Sequence, residues 1–72
     1  MTYTEQQITD CFAELKRQSR DGRTIDAIYW PPLNAIAGPR SFEVVFLLQN
    51  RGLLREQVLP GCYGHSVNHF TA

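Results

Sequence analysis

The first stretch of the chain carries its apolar residues at helical spacing. Ile8, Cys11, Phe12 and Leu15 recur at offsets of three, four and seven, which puts them on one face of a helix. The start of that helix is marked by Thr4-Glu5-Gln6-Gln7, a capping box in which the Thr4 hydroxyl accepts from the Gln7 amide and the Gln7 side chain reaches back. Tyr3 and Ile8 fill the two positions of a hydrophobic staple. Glu5 near the start and Lys16, Arg17 and Arg20 near the end match the helix dipole, and Asp21-Gly22 offers a residue suited to the left-handed region. The pattern predicts a helix over residues 5–20 with its apolar face in the core.

The pattern then shortens. Thr24-Ile-Asp-Ala-Ile-Tyr-Trp30 is rich in β-branched and aromatic types and runs into Pro31-Pro32, neither of which can donate to a sheet ladder, so residues 24–30 are expected to form a strand. Residues 41–49 place Phe42, Val44, Phe46 and Leu48 on one face of an extended chain and Val45 and Leu47 on the other, which suggests a central strand covered on both sides. Asn50-Arg51-Gly52 supplies a three-residue turn, and residues 53–59 return as the hairpin partner, with a helical turn over 53–58 as the competing assignment. Pro60-Gly61 ends that strand. In the remaining tail Val67 and Phe70 stand among small and polar residues, fitting either a short last strand over 66–71 or a loosely docked end. The expected fold is therefore α+β: one N-terminal amphipathic helix packed on a three- to four-stranded, mainly antiparallel sheet, in the order αβββ, within a single small domain spanning 1–72.

Composition sharpens this picture. A chain of 72 residues that is 43% hydrophobic and 19% charged has a globular balance. At this size only about 60% of the unfolded surface is buried on folding, so partner binding or formation of a homodimer is a natural way to cover the rest. Seven basic and seven acidic side chains cancel. That argues against a surface that traps nucleic acid or anionic lipid over its whole area, while local patches stay open. The charged and amide residues of the first twenty positions leave no apolar stretch for a signal peptide or a membrane span. With two cysteines, Cys11 and Cys62, and no CxxC pair, reduced thiols and a cytoplasmic location are the expectation.

Three constellations bear on chemistry. Cys62, His65 and His69 lie within eight residues at spacings seen in zinc sites, and Cys11 becomes a fourth ligand only if the helix lies over the tail. A second ligand pair is absent, so no metal or other cofactor is expected, and zinc is kept as an alternative. Either cysteine with His65 or His69 as base would be the raw material of nucleophilic catalysis, but nothing in the sequence orients such a pair, and an enzyme is not expected. Lys16, Arg17, Arg20 and Arg23 cluster at the helix end, where cations also serve the dipole. They form an alternative contact for phosphates or an acidic partner.

The fourth feature is residues 30–40, Trp-Pro-Pro-Leu-Asn-Ala-Ile-Ala-Gly-Pro-Arg, long for a hairpin connection and stiffened by three prolines. Trp30, Leu33 and Ile36 either close over the core as a lid or, with Arg40 at the rim, form a rigid protein-interaction surface. The leading expectation is a small non-enzymatic binding protein that occludes a protein partner, of the sort phages and other mobile elements encode as inhibitors or regulators. A nucleic-acid-binding regulator using the basic helix end is the alternative, set apart by steep salt dependence. A small zinc domain built on the tail is the third reading.

Overall fold

The structure, a computed structural model, describes residues 2–61 and 65–71. Its elements run α1 (Glu5–Gln18), β1 (Thr24–Ile25), α2 (Trp30–Ala37), α3 (Phe42–Asn50), β2 (Leu54–Val58) and β3 (Ser66–Phe70). The architecture is α+β: a three-stranded antiparallel sheet in the order β1-β3-β2, with α1 and α3 packed on it and α2 packed on α1.

α1 forms as its sequence dictates. Thr4 Oγ1 accepts from the Gln7 amide at 3.0 Å and Gln7 Oε1 accepts from the Thr4 amide at 2.9 Å, closing the capping box. Ile8, Cys11 and Leu15 point into the core, and Phe12 packs edge-on against Phe70 of β3 with centroids 5.8 Å apart. The helix ends at Gln18 because Ser19 turns extended. The left-handed glycine, Gly22 at φ 70°, falls in the turn beyond, where Asp21 Oδ1 accepts from the amides of Arg23 and Thr24.

The strand expected over 24–30 is only two residues long. Its end joins α2, because Pro31 and Pro32 stand in the first turn of a helix, where their missing N–H groups would have had no intrahelical partner. Gly38 at φ 89° then closes α2 by donating its amide to the Asn34 carbonyl at 2.8 Å. The segment read as a connection is thus mostly helix.

The strand expected over 41–49 is the helix α3. Its buried residues, Ser41, Val44, Val45 and Leu48, are spaced three, one and three apart, a helical stripe rather than an alternation. A run apolar on both faces fits either element by composition; here packing of that stripe against α1 and β2 selects the helix. With 41–49 helical, 53–59 cannot be its hairpin partner. β2 pairs instead with β3, Leu54 opposite Phe70 through Val58 opposite Ser66. The last strand is therefore the middle of the sheet, holding β1 on its other side through Thr24–His69 and Ile25–Asn68.

The core gathers Ile8, Cys11 and Leu15 from α1, Leu33 and Ala37 from α2, Val44, Val45 and Leu48 from α3, and Ile25 and Leu54 from the sheet. Two polar fasteners tie the helices together. Arg51 forks onto both oxygens of Glu5 at 2.8 and 2.7 Å, and the Tyr3 hydroxyl donates to Glu43 Oε1 at 2.8 Å beside the Arg40 carbonyl. Among the described residues, no helix is long and apolar enough to cross a membrane.

Candidate functional site

The same periodicity that buries one stripe of α3 leaves its neighbouring flank outside. Phe42, Phe46 and Gln49, spaced four and three, line that flank, and the two phenylalanines stack edge to face with centroids 6.1 Å apart. They are among the most exposed large apolar residues of the protein, Phe42 at 42% and Phe46 at 55%. Trp30, at 37%, lies across from them at the start of α2. Between them runs a groove of about 280 Å3, with Val45 and Ile28 in its wall and Glu56, Ser66 and Asn68 of the sheet along its floor.

The groove lies beside the end of the β2–β3 ladder that contributes nothing to the apolar core. Leu54 and Phe70 lie on the sheet's inner face and meet the core. Two residues further along, on the same face, Glu56 pairs with Asn68, and beyond them Val58 pairs with Ser66. Gln49 donates to Asn68 Oδ1 at 2.9 Å, fixing α3 to the central strand at the groove floor. The opposite wall is held by Gln18, whose amide bonds the backbone of Tyr29 twice, Oε1 accepting from the Tyr29 amide at 2.8 Å and Nε2 donating to its carbonyl at 2.9 Å. Gln18 Nε2 also donates to Glu14, which Arg17 grips through two bonds. The residue before Trp30 is thereby tied to the end of α1 by a side chain acting as a short strand.

The groove's charge is one-sided. Asp26 and Glu56 line it, and among the described residues no lysine or arginine does. Glu56 accepts one long bond, 3.3 Å, from Ser66 Oγ. Asp26 is exposed and, among the described residues, has no hydrogen bond or ion pair.

The residues singled out in the sequence separate. Trp30 reaches the groove, Leu33 is fully buried, and Ile36 is half-buried against the core, so the three are not exposed together. Leu33 and Ile36 act as the lid, while Trp30 alone of the three contributes a surface. Arg40 lies in the α2–α3 turn and pairs with Glu43 at 3.3 Å, outside the groove lining. An extended reading of 41–49 places Phe42 and Phe46 on a buried face; the three-four spacing of Ser41, Val44, Val45 and Leu48 is the signal that puts them outside.

The basic cluster at the end of α1 also divides. Arg17 is ion-paired to Glu14, and Lys16 lies over the rings of Phe12 and Phe70 at 5.7 and 4.9 Å from their centroids. Arg20 and Arg23 are exposed beyond the helix end. Cys62 lies outside the described residues. Of its zinc partners, His65 is exposed, and His69 meets Gln57 Oε1 at 2.9 Å. His69 alternates with Phe70, which packs on α1, so its side chain leaves by the opposite face of the sheet from buried Cys11. The four-ligand arrangement fails on that geometry, and among the described residues no three His, Cys, Asp or Glu side chains gather closely enough to hold a metal ion. Burial, and to a lesser degree the charge of Asp10, pushes the Cys11 thiol up, leaving it protonated at neutral pH and a poor nucleophile.

Comparison with family models, curated proteins and solved structures finds no match to this chain.

Proposed function

We propose that the protein is a small non-enzymatic binding protein that holds a protein partner in the groove between Trp30, the Phe42–Phe46 flank of α3 and the free end of the β2–β3 ladder. The observation that carries this reading is the placement of three exposed aromatic side chains around one concavity. Aromatic anchors in a concave, partly desolvated setting are the residues that dominate the energy of protein interfaces.

Size supports a macromolecular occupant. A groove of about 280 Å3 falls at the foot of the range for small-molecule pockets and suits one or two inserted side chains. Rigidity supports it too: the aromatic rings sit on two helices fixed by Gln18 and Gln49, so little ordering entropy is lost on binding. Occlusion of the partner's own binding surface is the mode of action that a chain of this size can perform without further parts, which suits an inhibitor or regulator such as mobile elements carry.

With the partner recovered by affinity purification, Trp30→Ala is expected to weaken binding by more than about 2 kcal/mol while the far-ultraviolet spectrum and melting curve stay those of the parent. Unchanged affinity in the folded variant would remove the groove from the interface.

A further inference from the structure

The groove combines apolar walls with two carboxylates and, among the described residues, has no cation in its lining. The chain as a whole is neutral, with seven basic and seven acidic side chains, so this is a local segregation of charge. Resting on the groove reading above, we propose that its occupant is a partner-protein segment in which an aliphatic or aromatic side chain stands beside an arginine or lysine.

The chemistry follows from where the groups sit. Trp30, Phe42 and Phe46 offer ring faces and edges to an apolar side chain, and the same faces attract a cation. Asp26, on the segment leading into α2, and Glu56, on β2, contribute to the groove lining from two different elements. A guanidinium or ammonium carried by the occupant is the group that would neutralise them. Asp26 has no partner among the described residues, and Glu56 has only the long bond from Ser66, so little internal bonding must be given up. Phosphate-bearing partners meet the wrong sign here.

The test uses a randomised heptapeptide library selected against the immobilised full-length protein. Selected peptides, carrying a fluorophore, are then titrated with the parent and each variant, and binding is read as fluorescence anisotropy, because the chain's single tryptophan is the residue replaced in Trp30→Ala. The expected result is enrichment of arginine or lysine next to an apolar residue. Replacing that cation by citrulline, or combining Asp26→Asn with Glu56→Gln, should each weaken binding by about fivefold or more and flatten its salt dependence. Both acids are exposed, so the double variant is expected to keep the parent's melting curve.

Each other outcome overturns the proposal in its own way. Peptides enriched without a cation, yet lost on Trp30→Ala, would leave the groove as a docking site and refute the basic occupant. Peptides that bind Trp30→Ala as well as the parent, or no enrichment at all, would refute the groove itself. Acetyl-arginine amide binding as tightly as the best peptide would assign the site to a small organic cation. Self-association of the protein that the double acid variant abolishes would assign the groove to the basic end of a second copy.

Discussion

Leu33 and Trp30 stand one helical turn apart on α2, yet the first is wholly enclosed and the second is more than a third exposed. Leu33→Ala should therefore cost about 2–5 kcal/mol in a denaturant titration, the range for a cavity in a packed core. A loss below about 1 kcal/mol would place Leu33 at the surface. Single residues also set the acid response. The Arg17 guanidinium, followed by the Gln18 amide, holds Glu14 down at about 2, and the amides of Thr24 and then Arg23 hold Asp21 at about 2. Both lie below the ordinary carboxylate values near 4 that apply in the unfolded chain. A depressed folded-state value means the unfolded chain takes up protons first, so this stabilisation is complete above about pH 4 and drains away as pH falls towards about 2. Glu14→Gln with Asp21→Asn should flatten the fall in urea midpoint across that window. An undiminished fall would show that other groups govern acid unfolding.

Among elements, α1 and α3 differ in how plainly they are written. α1 is announced by local chemistry that only a helix uses: the Thr4–Gln7 box, the Tyr3–Ile8 staple and an apolar stripe broken by charge. Residues 42–50 have no such marker. Ser41 spends its hydroxyl on Asn34 Oδ1 at 2.6 Å instead of capping the helix, and Val44, Val45 and four further apolar residues suit a strand as well as a helix. The helix is chosen by tertiary packing, which a linear reading does not contain. Pro31-Pro32 carries two meanings, a stop for a strand and a start for a helix, and only the helical spacing of Leu33, Ile36 and Ala37 beyond it separates them. β3 is hidden for a different reason: polar Asn68 and His69 occupy a central strand because Gln49 and Gln57 answer them. The groove inherits this history, since Trp30 was legible as a surface anchor while Phe42 and Phe46 became visible only once α3 was a helix. The two readings of α3 part at one pair of positions. Leu48→Ala should destabilise by about 2–5 kcal/mol, and Phe46→Ser by less than about 1 kcal/mol, because Leu48 is enclosed and Phe46 is mostly solvated. Equal losses at both would fit an extended segment with the two side chains on one buried face.

At the scale of the whole molecule, a small chain has built one core and still left aromatic surface outside it. The Leu54–Phe70 end of the β2–β3 ladder joins the core with α1 and α3, and the Val58–Ser66 end does not. Exposed Glu56 stands between these two ends, opposite buried Asn68, while the outer sheet face, with Arg55, Gln57 and His69, is polar. A binding role for the inner side predicts a directional interaction: the partner meets the groove and leaves the outer face free. Site-specific photo-crosslinking measures this directly, with a benzophenone amino acid placed at Phe46 in one variant and at Gln57 on the outer face in another, in lysate of the cells that make the protein. The expected result is one discrete adduct from position 46, competed by unlabelled parent protein and not by Trp30→Ala, and none from position 57. An adduct from position 57 alone, or from neither position, would contradict it.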